Sequence, residues 1–512
     1  MALSDYSGGS VLSAGFVIIT IVVDSTNVNS IIPNAGSGVG AGKWSRRVLT
    51  ILGVDWTLAN RQTMNGKLKM HDGIFVRPIN RRGFLQIGGL CVGGISLAGL
   101  LRSRASGAAK SNDKAVILFY LAGGPSHIDT YDLKPDAVEE VRGPFSPINT
   151  TLQGWQVCDL LPHHARIAKQ VSVVRSISHN LSVHDDATHW LQTGYPLLNA
   201  RQVGQTHPSQ GSVVAKMRGS DQRGLPTYVC VPEDYRTHMG FYEGAAYLGN
   251  RYLALNAGGD PSLGNYRAPE FAPPRGVTLP RLEDRQNLLR SLDRLAHRKQ
   301  REAVWEDFDD IQRQAVTLTT GSQARQAFDL SAEPQNLRDR YGNHAYGQSA
   351  LLARRLVEAG VTFVTINLYE KDVDWWDDHY TLEKNLRARL PRYDQALATL
   401  IEDLHERSLT DRVLVAAFGE FGRAPRIDRN AGRGHWPSAM SALLCGGGIR
   451  PGQIVGSTTA DGGEPKDRPL KPGDLLATIY HTLGIDHHGT LPDRQGRPIP
   501  ILPDGEPIRE LV

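Results

Sequence analysis

Side chains able to do acid–base, metal or anion chemistry cluster at the ends of apolar runs in this sequence. Glu420 and Arg423 follow the run from Val413 to Phe418, and His435 comes twelve residues after Arg423 in a loop rich in glycine and arginine. A carboxylate, a guanidinium and an imidazole so placed can hold a metal and an anion together. The run from Val116 to Ala122 leads into Gly123 and Gly124, and then into Ser126, His127, Asp129 and Asp132. Two glycines let backbone turn tightly and approach a ligand, although Asp129 and Asp132 would equally serve as turn caps. His184, Asp185 and Thr188 open a stretch that stops at Gly194, where a helix N-terminus would favour an anion. Asp377 and His379 follow a further apolar run and form a plausible hard-metal pair, or else a turn.

The elements that must position these groups alternate in type. Buried strands are expected over 116–122, 171–179, 227–231, 361–367, 413–418 and 441–448. Helices are expected over 184–194, 348–359, 391–407 and 472–484. Helix alternating with buried strand predicts an α/β, doubly wound, mostly parallel sheet, whose strand ends bind ligands along one edge. Residues 197–345 break the rhythm with loops rich in Gly, Pro and Arg and with polar helices over 279–302 and 303–318. That region reads as an insertion covering the site.

The 512 residues suit one large α/β domain with an insertion. With 57 basic and 53 acidic residues and no long basic block, nothing points to nucleic acid. Cys91, Cys158, Cys230 and Cys445 show no short spacing, so a metal would be held by oxygen and nitrogen. Asn80, Arg81 and Arg82, followed by a glycine-rich apolar run to Leu101 and an alanine-rich exit, have the layout of a twin-arginine export signal. The expected organisation is therefore a non-native or disordered extension over 1–69, with translation starting at Met70 or Met64. A signal peptide over 70–109 and the main domain over 110–512 would follow.

Four motifs carry a resemblance: Gly123 to Pro135, Trp376 to His379, Gly419 to Arg423 and Gly432 to Trp436. In this order, with the export signal, they resemble the DUF1501 family of exported proteins, within the alkaline phosphatase-like superfamily that includes the sulfatases. That resemblance implies an α/β sheet with a two-metal site that cleaves phosphate or sulfate esters. Asp377 and His379 would match one Asp/His ligand pair, Glu420 would stand in the place of a late-strand ligand, and His435 would match the last histidine ligand. Departures accompany the match. The aspartate that usually follows the first strand is replaced by Gly123, leaving Asp129 as the nearest carboxylate. The usual nucleophile position falls on His184, and no Cys-x-Pro-x-Arg stretch is present.

The expected function is an exported, metal-dependent hydrolase of phosphate or sulfate esters, periplasmic or extracellular. Asp129, Asp377, His379, Glu420 and His435 would bind zinc, calcium or magnesium. Metal-activated water, Thr188 or His184 would be the nucleophile, and Arg423 the anion clamp. A small-molecule or polysaccharide ester and the export machinery would be its partners, with membrane contact only during export. The alternative is a non-catalytic, metal-containing binding protein for an anionic polysaccharide or a partner protein.

Overall fold

Val116, Leu118 and Tyr120 face one hydrophobic core, while Ala115, Ile117 and Phe119 face the other. This strand, β1 (Ala115–Tyr120), is wholly buried, and its alternation of faces is the reason a continuous apolar run is needed. The computed structural model describes residues 113–219, 224–232, 242–269, 322–367 and 375–512, all within the compact unit Gly88–Val512. The expected extension, the export signal and the polar helices of 279–318 lie outside the described residues.

The other strands of the main sheet are β2 (Ser172–Ile177), β3 (Tyr228–Val231), β4 (Leu255–Asn256), β5 (Phe363–Asn367), β6 (Val413–Phe418), β7 (Met440–Gly446) and β8 (Ile454–Val455). Their order is β8-β2-β7-β6-β1-β5-β3-β4. β1 pairs parallel with β5 and β6, with Val116 opposite Phe363 and Leu414. Among the described strands of this sheet only β7 is reversed, being antiparallel to both β6 and β2. The architecture is thus the expected mostly parallel α/β sheet. β3 and β4 extend it, so that part of 197–345 belongs to the sheet itself.

Helices pack on both faces. α1 (His184–Thr193), α2 (Gln210–Arg218) and α5 (Pro472–Thr482) lie on one side, through Leu191, Val213 and Leu476. α3 (Ala345–Ala359) and α4 (Leu382–Glu406) lie on the other, through Leu352 and Leu397. α4 begins nine residues before the expected start at Pro391, which sits inside the helix. Proline is disfavoured there. The apolar stripe of Leu382, Leu386, Leu390, Tyr393 and Leu397 nevertheless runs through it, so burial overrides the local preference. No helix among the described residues is long and apolar enough to cross a membrane.

The reversal of β7 positions the site. A strand antiparallel to its predecessor must begin at the edge where the predecessor ended. The connection from β6 to β7 therefore stays at the C-terminal edge, folding into a short ribbon that sets His435 opposite Arg423 and Trp436 opposite Gly422. The ends of β1, β2, β5 and β6 meet this connection at one edge.

Candidate metal centre

Four side chains from three chain segments converge there. His184 is the first residue of α1, Asp377 and His379 precede α4, and His435 stands on the ribbon. One donor atom from each lies within 4.8 Å of all the others. Asp377 Oδ1 is 3.3 Å from His184 Nε2, 3.1 Å from His379 Nε2 and 3.3 Å from His435 Nε2. The ligand-to-ligand edges of a tetrahedral zinc site with bonds near 2.0–2.1 Å are about 3.3 Å, so the spacing suits one such ion.

Hydrogen bonding sets the ring tautomers. His435 Nδ1 lies 2.7 Å from Ser182 O; a carbonyl can only accept, so the neutral ring donates from Nδ1 and keeps a bare Nε2. His184 Nδ1 lies 2.6 Å from Glu420 Oε1, again leaving the neutral ring's Nε2 bare. That Nε2 is enclosed, 3.3 Å from Asp377 Oδ1. Lone pairs aimed at a carboxylate call for a proton or a cation between them. The same holds for His379 Nε2 and His435 Nε2, which are 2.8 Å apart. Three imidazoles and a carboxylate form a borderline donor set that fits zinc or a neighbouring transition ion better than calcium or magnesium.

The titration behaviour follows from this crowding. Burial works against charge on His184, but the Asp377 and Glu420 carboxylates outweigh it and push the imidazole pKa up to about 9. Burial would raise Asp377, yet His184, His435 and the Arg423 guanidinium hold it well below the usual carboxylate range. His379 is shifted down, chiefly by desolvation.

The remaining expected site residues have other work. Glu420 is buried behind His184, and its two oxygens also accept the Gly123 N–H at 2.9 and 3.1 Å. It orients His184 and is not one of the four clustered donors. Gly123 has a φ of +108°, and a Cβ there would lie 2.5 Å from Asp377 N. The chain thus has no room for a carboxylate at the end of β1, and backbone packs there instead.

Asp129 is also kept out of the cluster. It is buried against Arg433, with Nε 2.7 Å from Oδ2, and accepts the Ser126 hydroxyl at 2.5 Å. Asp132 is likewise committed, to Arg175, Lys134 and Thr458. Arg423 is fully buried and unavailable as an anion clamp. It donates to Asp377 Oδ1 at 2.5 Å, to Gly124 O at 2.8 Å and to the carbonyls of Gly123, Trp376 and Arg433, so it holds the site together. Thr188 is buried one turn after His184. His184, expected as a nucleophile, stands among the four clustered donors. Sequence reasoning missed Arg433 as the partner of Asp129, although the arginine-rich loop marked its neighbourhood. It also missed His179, whose Nε2 lies 2.7 Å from Glu420 O.

A family model, that of the proteins of unknown function DUF1501, matches residues 113–512. The chain belongs to the DUF1501 family. This DUF1501 protein has no significant match among curated proteins. It is similar in structure to the lipoteichoic acid synthase LtaP from Listeria monocytogenes, with 10% identity, a TM-score of 0.34, and coverage of 74% of this chain and 73% of that one. It is similar also to an alkaline phosphatase superfamily protein from Vibrio parahaemolyticus, with 13% identity, a TM-score of 0.35, and coverage of 73% and 67%. A third is the phosphonate monoester hydrolase SpPMH from Silicibacter pomeroyi, with 12% identity, a TM-score of 0.34, and coverage of 77% and 75%.

Proposed function

We propose that this chain is an exported, metal-dependent hydrolase of phosphate or sulfate esters. The observation that carries the reading is the meeting of His184, Asp377, His379 and His435 donor atoms within 4.8 Å at the strand edge. These four residues would hold the ion. A divalent cation there supplies Lewis acidity towards an ester oxygen and acidifies water.

The chain's own groups prepare the place. Glu420 and Ser182 O fix the histidine tautomers, and Arg423 pins Asp377. The His379 side chain is 35% exposed against 13% for His184, which gives the cluster one side open to substrate. Thr188 is buried and His184 is one of the four clustered donors, so water is favoured as the nucleophile over either. Export by the twin-arginine route to the periplasm or beyond rests on the Arg81–Arg82 motif.

One observation favours a second reading. Four protein donors are the number found in closed structural sites, whereas catalytic zinc commonly keeps three and an open position. A metal-containing binding protein for an anionic polysaccharide or a protein partner would use such a set. Elemental analysis of chelator-free protein, with a screen of aryl phosphate mono- and diesters and aryl sulfates, separates the two. Stoichiometric metal with turnover that disappears in folded His435→Ala supports the hydrolase. Metal with no turnover on any of these esters supports the binding protein, and absence of any metal uptake sinks both.

A further inference from the structure

Away from the sheet edge, a second set of donors meets near the C-terminus. His487 and His488 lie in the turn that follows α5, and Glu506 comes from the segment that returns to the start of that helix. One donor atom from each of the three lies within 4.8 Å of the others. The two imidazole rings are 4.0 Å apart, and His488 Nε2 is 3.7 Å from Glu506 Oε1.

Both segments are anchored through their backbones. His488 N–H donates to Asp486 Oδ1 at 3.0 Å, and Glu506 N–H donates to Asp474 Oδ1 at 2.9 Å. The return segment also passes so close to α5 that a Cβ on Gly473 would lie 2.5 Å from Asp504 O. The three side chains are therefore presented from fixed positions, which lowers the entropy lost when a ligand orders them. His487 is only 8% exposed, and its Nε2 is enclosed with no hydrogen-bond partner. A buried polar atom left unmatched is uncommon and unfavourable. A surface ion pair would account for the approach of His488 to Glu506, but not for the buried imidazole beside them.

We propose that His487, His488 and Glu506 form a second site for a zinc-class divalent transition ion, separate from the strand-edge cluster. Two imidazoles and one carboxylate are a donor set that selects zinc or a late first-row neighbour over calcium or magnesium. Three protein ligands leave a coordination position for water or another small ligand. The ion fastens the turn after α5 to the returning tail, and so stabilises the folded chain by binding only where both segments are in place.

The test uses the full-length protein and zinc alone. Chelator-treated wild type and a variant carrying His488→Ala with Glu506→Gln are equilibrated with zinc, and bound metal is counted by elemental analysis and native mass spectrometry. Their side chains are 64% and 75% exposed, so the variant keeps the fold, which circular dichroism verifies. The expected result is one fewer zinc ion in the variant than in wild type, with a smaller rise in Tm on adding zinc. The difference of one is expected whether or not the strand-edge cluster also binds metal. Equal zinc stoichiometry in the two proteins would overturn the proposal.

Discussion

Glu420 accepts a hydrogen bond from His184 Nδ1 at 2.6 Å, joining the end of β6 to the start of α1 across 236 positions of sequence. The carboxylate is 1% exposed, and it also receives the Gly123 N–H. It therefore acts on the cluster through His184, by fixing the ring that presents Nε2. Loss of such an orienting partner typically lowers metal affinity about 10- to 100-fold. Glu420→Gln, which keeps the shape and loses the charge, is expected to fall in that range with zinc stoichiometry retained at saturation. Competition against a chelator of known affinity measures it; an unchanged affinity would remove Glu420 from the site's support.

Gly123 is a packing requirement. Its φ of +108° disfavours any side chain, and a Cβ would press on the Trp376–Asp377 backbone at 2.5–2.8 Å. Gly123→Ala is expected to destabilise the fold by about 1–3 kcal/mol. It should also weaken metal binding, because the backbone that must yield carries Asp377. Urea denaturation together with zinc titration checks both effects.

Asp129 and Arg433 form a buried pair whose side chains are inaccessible to solvent. Removing one member of such a pair leaves an uncompensated charge and costs about 3–5 kcal/mol. Asp129→Asn is expected to lie towards the lower end, since the amide oxygen still accepts from Arg433, and to keep the strand-edge metal. A folded Asp129→Asn protein lacking that metal would mean that Asp129 is a ligand after all.

His179 links stability to pH. Its Nδ1 accepts from Leu181 N–H and its Nε2 donates to Glu420 O, so the neutral ring fits and a second proton does not. Burial accordingly lowers its pKa from 6.5 to about 4. Between those values the unfolded chain binds a proton that the folded chain refuses. Stability should therefore fall as pH drops from 6.5 towards 4, with a slope from this group of at most about 1.4 kcal/mol per pH unit. His179→Gln is expected to flatten the loss, compared by urea denaturation at pH 7 and pH 5. Equal losses in both proteins would assign the pH dependence to other groups.

Much of the fold was legible because burial on both faces leaves a plain mark. The apolar runs ending at Tyr120, Ile177, Asn367 and Phe418 are strands, each followed by polar residues at one edge. The start of α4 was misplaced because Pro391 argues locally against a helix that its buried stripe requires. The direction of β7 was not legible either, since a buried strand reads the same both ways.

By itself, the sequence determined the α/β class, the strand ends that carry the chemistry, and the candidates His184, Asp377, His379 and His435. It also determined that a metal centre would use nitrogen and oxygen, because side-chain chemistry and local periodicity are properties of the chain alone. Only the tertiary structure decided which polar groups meet. Asp129 is claimed by Arg433, Arg423 by backbone carbonyls and Asp377, and Glu420 by His184 and Gly123. Those partners lie 10 to 304 residues away, and a buried charge takes the partner that the fold brings to it.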